Sequence, residues 1–384
     1  MKLLEYKAKE LFEAAGIPSM KGVVIDKAEG ISEKLSEAGL TYPVVIKAQV
    51  QVGGRGKAGG IQFANNAAEA EDWCKKLLFS DLKGFKVNQL LLVEKANPVA
   101  EWYLSIMLDR LSKCPLIIFS ACGGVDIEEV AKTDPDKIIK LPINPFLGIQ
   151  DYAVRYLIDK SGIDAKHTAD MKDILVKLYE VFIKNDCLLA EINPLVLDAN
   201  GSIIALDGKV DVDDSALYRQ PDILAFRDSL QEEELVVEAR KFNLLYIPVE
   251  EGGTIGVMSN GSGMLMSCID LITKEGMKVG AALDLGGGAT KEKISEAVRI
   301  MLSTPGMKAI FICIFGGITR CDEVAGGVKL ALEKQEADKI VITRMEGTNK
   351  EKGLEIIASI GGDVVAVNGV REGVAALAER RASL

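Results

Sequence analysis

The stretch AIFICIFGGITRCDEV, residues 309–324, decides how the second half of this chain folds. Seven apolar residues lead into two glycines and then into a polar segment that starts a helix. That is one strand–loop–helix unit. The same unit recurs on both sides of it. TIGVMS (254–259) runs into NGSG (260–263), and VGAALDL (279–285) into GGGATK (286–291). KIVITRM (339–345) precedes EGTNK (346–350), and DVVAVN (363–368) precedes GVREG (369–373). The spacing is about 25 to 30 residues, the size of a β–α unit. Five such units predict an open, doubly wound parallel sheet with helices on both faces and its binding edge at the strands' carboxyl ends.

Three loops on that edge carry two or more glycines just before a helix: Asn260-Gly261-Ser262-Gly263, Gly286-Gly287-Gly288 and Gly316-Gly317-Ile318-Thr319. Each offers helix N-terminal amides to an anion. The glycines also fit tight turns in any parallel sheet. Three such loops on one edge favour a site without naming its anion.

The N-terminal part follows a different pattern. VVIKAQV (44–50) precedes the glycine-dense GGRGKAGG (53–60), and IQFANN (61–66) follows. QLLLVEKA (89–96), EWYLSIMLDR (101–110) and CPLIIFSA (114–121) then succeed one another with almost no helix between them, which predicts an antiparallel meander. A helix around Met171–Lys184 leads into LLAEINPLVLDANGSIIALDGKV (188–210), two strands joined by Asp198-Ala199-Asn200-Gly201. The polar segment 228–243 reads as a connector that is helical or partly extended, and the domain boundary is placed there.

With the hairpin turn near Asn200, Asn193 faces Asp207 and Glu191 faces Lys209. All four project from one side of the ribbon, because residues two apart share a face. Opposed Cβ atoms lie roughly 4.5–5.5 Å apart, so two oxygen ligands can share one cation. One carboxylate and one amide oxygen, completed by phosphates and water, describe nucleotide-bound Mg²⁺. An ordinary polar hairpin face is the competing reading, since a one-residue slip flips every side chain.

GGRGKAGG lets backbone amides approach phosphate oxygens, and Arg55 and Lys57 add charge. It lacks the Walker A pattern and equally suits a flexible hairpin loop. Lys47 interrupts an apolar strand, where structural pairing with an anion ranks ahead of ligand binding.

Bulk properties exclude several classes. The 384 residues suffice for two or three domains, with 48% hydrophobic and 27% charged content typical of soluble globular chains. A net charge of −10 without a basic run argues against a nucleic-acid partner. Seven scattered cysteines without CxxC spacing argue against a zinc site or a disulfide framework, and suit a reducing compartment. The single histidine, His167, sits in SGIDAKHTAD (161–170) and reads as a solvated surface residue. MKLLEYKAKELFEAAGIP (1–18) has no continuous apolar core of a signal peptide. Its Leu4, Ala8, Leu11, Phe12 and Ala15 recur at helical spacing, stopped by Gly16 and Pro18. No apolar run approaches the roughly 20 residues of a membrane span.

Taken in order, VVIKAQV–GGRGKAGG, VEK…AEWYL, EINPLV…LDGK, SNGSG, DLGGGATKE and FGGITRCD resemble the β subunits of the succinyl-CoA synthetase family, over essentially the whole chain. The resemblance implies an α/β and α+β chain: an N-terminal ATP-grasp fold, residues 1–238 with an inner subdomain near 21–99. A flavodoxin-like doubly wound parallel-sheet CoA-ligase domain, residues 239–384, would follow and contact an α subunit. Lys47 and Gly54, Arg55 and Gly56 would hold nucleotide phosphates, and Glu94 and Glu101 would contact the adenosine. Asn193 and Asp207 would bind Mg²⁺. Glu191 would meet the phosphorylated histidine. Asn260 and Gly317, Ile318 and Thr319 would bind succinate carboxylates, Thr319 through its backbone.

The family's reaction passes a phosphoryl group from ATP to a histidine and on to succinate, and CoA then releases phosphate. His167 lies in none of the motifs, so the α subunit would bring the histidine and bind most of the CoA. A malate–CoA ligase β subunit is the near alternative; the glycines of GGRGKAGG and FGGI favour succinate. A non-catalytic nucleotide-binding regulatory subunit is the alternative from another class, disfavoured by intact Lys47, Glu191, Asn193 and Asp207. Met20 offers no donor to guanine O6, which favours ATP over GTP. The expected location is the bacterial cytoplasm, with an organelle matrix as the alternative.

Overall fold

Leu4, Ala8 and Phe12 fall on one side of the helix Glu5–Ala14, and all three are buried. The helix ends where Gly16 takes a positive φ of 79° and the Gly16 and Ile17 amides return to Glu13 and Phe12 carbonyls. This helix belongs to the first of two units, Met1–Ser229 and Leu230–Leu384, into which a computed structural model divides the chain. The structure describes residues 1–228, 230, 233–334 and 339–384.

The first unit contains two larger antiparallel sheets. One has the order Gly22–Ile25, Leu90–Glu94, Val44–Ala48, Ile61–Ala64. Helices Ile31–Glu37 and Ala67–Leu77 cover it through Leu35, Ala70 and Cys74, around a core of Ile25, Ile46, Leu90 and Leu92. The other has the order Ile203–Ala205, Cys187–Asp198, Pro98–Asp109, Cys114–Ser120, Ile139–Pro142, and Gly208–Val212 also pairs with Cys187–Asp198. Thr168–Lys184 packs against it with Met171, Leu175, Leu178 and Phe182. Gly208 is required where Phe12 crosses: a Cβ there would stand 2.5 Å from the ring.

Two expectations need correction. The meander exists for EWYLSIMLDR and CPLIIFSA, which pair from Tyr103–Ser120 to Asp109–Cys114. QLLLVEKA does not join it; Leu90–Glu94 is a central strand of the other sheet, flanked by Gly22–Ile25 and Val44–Ala48. Leu90 and Leu92 enter one core and Leu91 and Val93 another, so both faces of that strand are covered. His167 is not solvated: it is 5% exposed, its ring edge-on to Trp102 at 6.2 Å. The short 3₁₀ turn Ala165–His167 before the long helix directs the ring inward.

In the second unit the sheet order is Leu245–Pro248, Val279–Asp284, Ile255–Ser259, Ala309–Gly316, Ile340–Gly347, Val364–Val367. The last five are parallel, as the repeated unit predicts; Leu245–Pro248 is an antiparallel edge strand that the repeat did not announce. Along Ala309–Gly316, Ile310, Ile312 and Ile314 enter one core, and Ala309, Phe311 and Cys313 the other. Both faces are therefore covered by helices. The strand order reverses beside Ile255–Ser259, which puts the fold's switch point between its carboxyl end and that of Ala309–Gly316. Gly347, at φ 111°, passes so close to Gly316 that a Cβ would stand 1.9 Å from the Gly316 carbonyl oxygen. Of the connector 228–243, residues 229, 231 and 232 lie outside the described residues. Glu234–Lys241 is a helix of the second unit, held by Ala239 in its core and a Glu238–Arg299 ion pair.

Candidate functional site

In the first unit, strand Val44–Ala48, the glycine-rich loop and the hairpin meet at four charges. Lys47, 5% exposed, places Nζ 2.6 Å from Glu5 Oε1 and 3.9 Å from Asp207 Oδ2, and donates to the Leu206 carbonyl at 3.2 Å. Arg55 Nη1 stands 2.7 Å from Glu5 Oε2 and donates to the Ala48 carbonyl, while Nη2 donates to Asp207 Oδ2 at 3.4 Å. The pairing expected for Lys47 is present, with Glu5 as its anion. Burial alone would raise the Glu5 pKa, but Lys47 and Arg55 outweigh it and hold this carboxyl below its usual value. Asp207 moves the other way: burial, and then the neighbouring Glu5 carboxylate, raise its pKa well above the usual carboxylate range. Asp207 is thus the more readily protonated of the two.

The hairpin register agrees with the facing pairs read from the turn. Glu191 pairs with Lys209, Ile192 with Gly208 and Leu195 with Ala205, and the Asn193 amide donates to the Asp207 carbonyl at 3.1 Å. The side chains then find different partners. Asn193 Oδ1 accepts from the Gly124 amide at 2.9 Å and Nδ2 donates to the Val125 carbonyl, whereas Asp207 joins the Glu5–Lys47–Arg55 cluster. Glu191 Oε2 accepts from the Tyr103 hydroxyl at 3.1 Å. Burial raises the Glu191 pKa, against the opposing pull of Lys209 and of the Tyr103 hydrogen bond.

Glu94 and Glu101 lie on separate sheets. Glu94 Oε1 accepts from the Thr41 amide and hydroxyl at 3.3 Å. The Glu101 carboxylate lies so close to Gly124 that a Cβ there would be 2.2 Å from its Oε2. Gly54, at φ 69°, and Gly56 belong to a series of turns closed by the Gly60 amide on the Arg55 carbonyl at 2.9 Å. Sequence reasoning missed Glu5, Tyr103 and Lys83. A glutamate on the buried stripe of Ala8 and Phe12 was a readable signal for Glu5. Lys83 donates to the Gly53 carbonyl at 2.9 Å across the loop, a contact that no local pattern announces.

In the second unit the loops are tied to one another. The Asn260 side chain pairs with both backbone groups of Phe315: Nδ2 donates to its carbonyl at 2.9 Å, and Oδ1 accepts from its amide at 3.0 Å. The Thr319 hydroxyl, 1% exposed, accepts from the Gly288 amide at 3.0 Å. Asp284 accepts from Ser262 at 2.6 Å and from the Gly286 amide at 2.9 Å. Ile318 is 86% exposed, and a Cβ on Gly317 would meet nothing within 4 Å. Asn260, Gly317, Ile318 and Thr319 thus share the carboxyl edge of the sheet.

Known proteins carry the same two-part arrangement. Residues 2–197 match the ATP-grasp domain family and residues 258–377 the CoA-ligase family. The β subunit of succinate–CoA ligase [ADP-forming] from Chloroflexus aurantiacus is 44% identical over 359 residues, 93% of either chain. Those of Desulfatibacillum aliphaticivorans and Persephonella marina are each 42% identical, covering 99% and 97% of this chain and equal shares of their own.

The chain belongs to the family of ADP-forming succinate–CoA ligase β subunits. Within that family its first unit carries the ATP-grasp match, and its second the CoA-ligase match. In fold it is also similar to ATP citrate lyase from Methanothrix soehngenii, solved with citrate and coenzyme A. That likeness has a TM-score of 0.75 at 20% identity, over 98% of this chain and 99% of that one.

Proposed function

We propose that this chain is the nucleotide-binding β subunit of a succinate–CoA ligase that interconverts ATP, succinate and CoA with ADP, phosphate and succinyl-CoA. The observation that carries the reading is the meeting of Lys47 and Arg55 with Asp207, from strand, glycine-rich loop and hairpin, at one partly solvent-reaching cluster. In this reading the first unit binds the nucleotide, with residues 21–99 as an inner subdomain, and the second unit binds the acid and the α subunit.

Lys47, Arg55 and the backbone of Gly54 and Gly56 would take the phosphates, with Glu94 and Glu101 near the adenosine. The hairpin fits Mg²⁺ by its donor set. Asp207 offers a carboxylate whose charge burial disfavours, and Asn193 keeps a lone pair on Oδ1 beyond the Gly124 amide. Two such hard oxygens are too few to hold an ion alone and suit one that arrives with a nucleotide. When bound there, Mg²⁺ would offset charge on the phosphates.

Glu191 would hold the histidine that carries the phosphoryl group. That histidine would come from an α subunit, which also binds most of the CoA. The packing of His167 against Trp102 supports this, because a buried ring cannot shuttle between sites. Asn260, Gly317, Ile318 and Thr319 would receive succinate at the switch-point edge. Among the described residues no helix is long and apolar enough to cross a membrane, and a bacterial cytoplasmic location fits the family.

Co-expression with the α subunit from the same genome tests the reading. Thioester formation is assayed from succinate and malate, with ATP and GTP, beside an Asp207→Ala variant. Succinate- and ATP-dependent turnover that Asp207→Ala abolishes is the expected result. A stable complex without turnover on any acid would overturn the enzymatic assignment.

A further inference from the structure

Glu5 opens the helix Glu5–Ala14 and lies on its buried stripe with Ala8 and Phe12. A carboxylate is rarely put there, because an isolated buried charge is strongly disfavoured. Its two oxygens are divided between two cations, Oε1 to Lys47 at 2.6 Å and Oε2 to Arg55 at 2.7 Å. For stability alone, a buried ion pair or triad is often no better than an apolar replacement. Here the two partners come from different elements, a strand and a glycine-rich loop, and both also reach Asp207.

The donor inventory shows what this leaves. Lys47 uses two of its three N–H groups on Glu5 and the Leu206 carbonyl. Arg55 Nη1 donates to the Ala48 carbonyl and lies 2.7 Å from Glu5 Oε2 as an ion pair, and Nη2 turns to Asp207. One ammonium N–H and the remaining guanidinium edge are left for a ligand. Glu5 cannot follow its partners outward, since its helix is fixed in the core by Ala8 and Phe12, 0% and 1% exposed.

We propose that Glu5 is a positioning residue for the nucleotide's phosphates: it fixes Lys47 and Arg55 side by side so that their remaining N–H groups meet a polyphosphate. The inference rests on the nucleotide reading above. It deepens that reading by assigning the arrangement of the two cations to a residue of the N-terminal helix. Pre-set cations lower the ordering cost of binding, so loosening them weakens polyphosphate binding selectively.

The test is calorimetry on the full chain co-expressed with its α subunit, titrated with Mg·ADP and separately with adenosine. Glu5→Gln keeps the shape, removes the charge and brings an NH₂ group towards a cation. It should weaken Mg·ADP binding about tenfold or more. Adenosine binding and the KM values for succinate and CoA should stay unchanged, and Glu5→Asp should recover part of the loss. Equal loss of adenosine and Mg·ADP binding would make Glu5 a merely structural residue and overturn the proposal. If Lys47→Ala loses Mg·ADP and Glu5→Gln does not, the inference alone falls. If Lys47→Ala binds Mg·ADP normally, the nucleotide reading falls and takes the inference with it. Should Glu5→Gln fail to fold, Glu5→Asp is judged by the same comparison with adenosine and Lys47→Ala.

Discussion

Glu191 lies directly opposite Lys209 in the hairpin, and its carboxylate accepts a hydrogen bond from Tyr103 on the neighbouring strand. Burial raises the Glu191 pKa, while Lys209 and Tyr103 pull it back. Tyr103→Phe removes one of those restraints, so the carboxyl should stay protonated to higher pH. The acid limb of the pH–rate profile for α-subunit phosphorylation should therefore move upward. Glu191→Gln should slow that phosphorylation by about 10² to 10⁴, the range for a lost positioned acid–base group, and leave Mg·ADP affinity unchanged. Rapid-quench labelling reads both.

Asp207→Asn removes a carboxylate that faces Glu5, but also a partner of Lys47 and Arg55. The ligand-free melting temperature should change little, because relief of like-charge repulsion offsets the lost pairing. The rise on adding Mg·ADP should disappear. For intact protein at a hundredfold excess over Kd that rise corresponds to about 2.7 kcal/mol. Differential scanning calorimetry with and without Mg·ADP distinguishes the two effects.

His167→Ala should destabilise the first unit by about 1–3 kcal/mol, the usual cost of removing a well-packed buried side chain. It should leave the rate and location of radiolabel from ATP unaltered. Label that vanished with His167 would contradict the assignment of the relay to a second subunit.

Asp322 lies in the first turn of the helix Cys321–Lys334, where Arg320 donates to both of its oxygens, the nearer at 2.7 Å. Chiefly those bonds, against the opposite pull of burial and with help from Asn349, hold its pKa down to about 2 from 3.8. The folded-state value lies below the unfolded one. Its contribution to stability is therefore complete above the unfolded value and fades as pH falls towards the folded one. Asp322→Asn should melt earlier than the parent at neutral pH. The gap should narrow below pH 3.8, as thermal melts across that range would record.

The parallel sheet was legible because each of its strands is an apolar run followed by glycines, a local pattern repeated five times. The hairpin register was legible for a stronger reason. Once Asn200–Gly201 sets the turn, pairing follows by counting, and Glu191–Lys209 emerges without tertiary knowledge. The allocation of Leu90–Glu94 was not legible, because an apolar strand does not say which of two sheets it joins. His167 failed similarly: its polar neighbours describe the chain around it, not the direction of its ring. The edge strand Leu245–Pro248 was hidden by lying before the first repeat. The partners of Asn193 and Asp207 diverge although their backbones pair, a choice made by elements far away in sequence.

Asn260 holds both the amide and the carbonyl of Phe315, and Thr319 accepts from the Gly288 amide. A rim laced in this way is stiff before any guest arrives. In the succinate-binding reading proposed above, selectivity among acids of similar charge should then come from fixed spacing, as a gauge block accepts one length. A longer diacid would have to break a lace to enter, and each broken lace would leave a peptide group unpaired at about 1–3 kcal/mol.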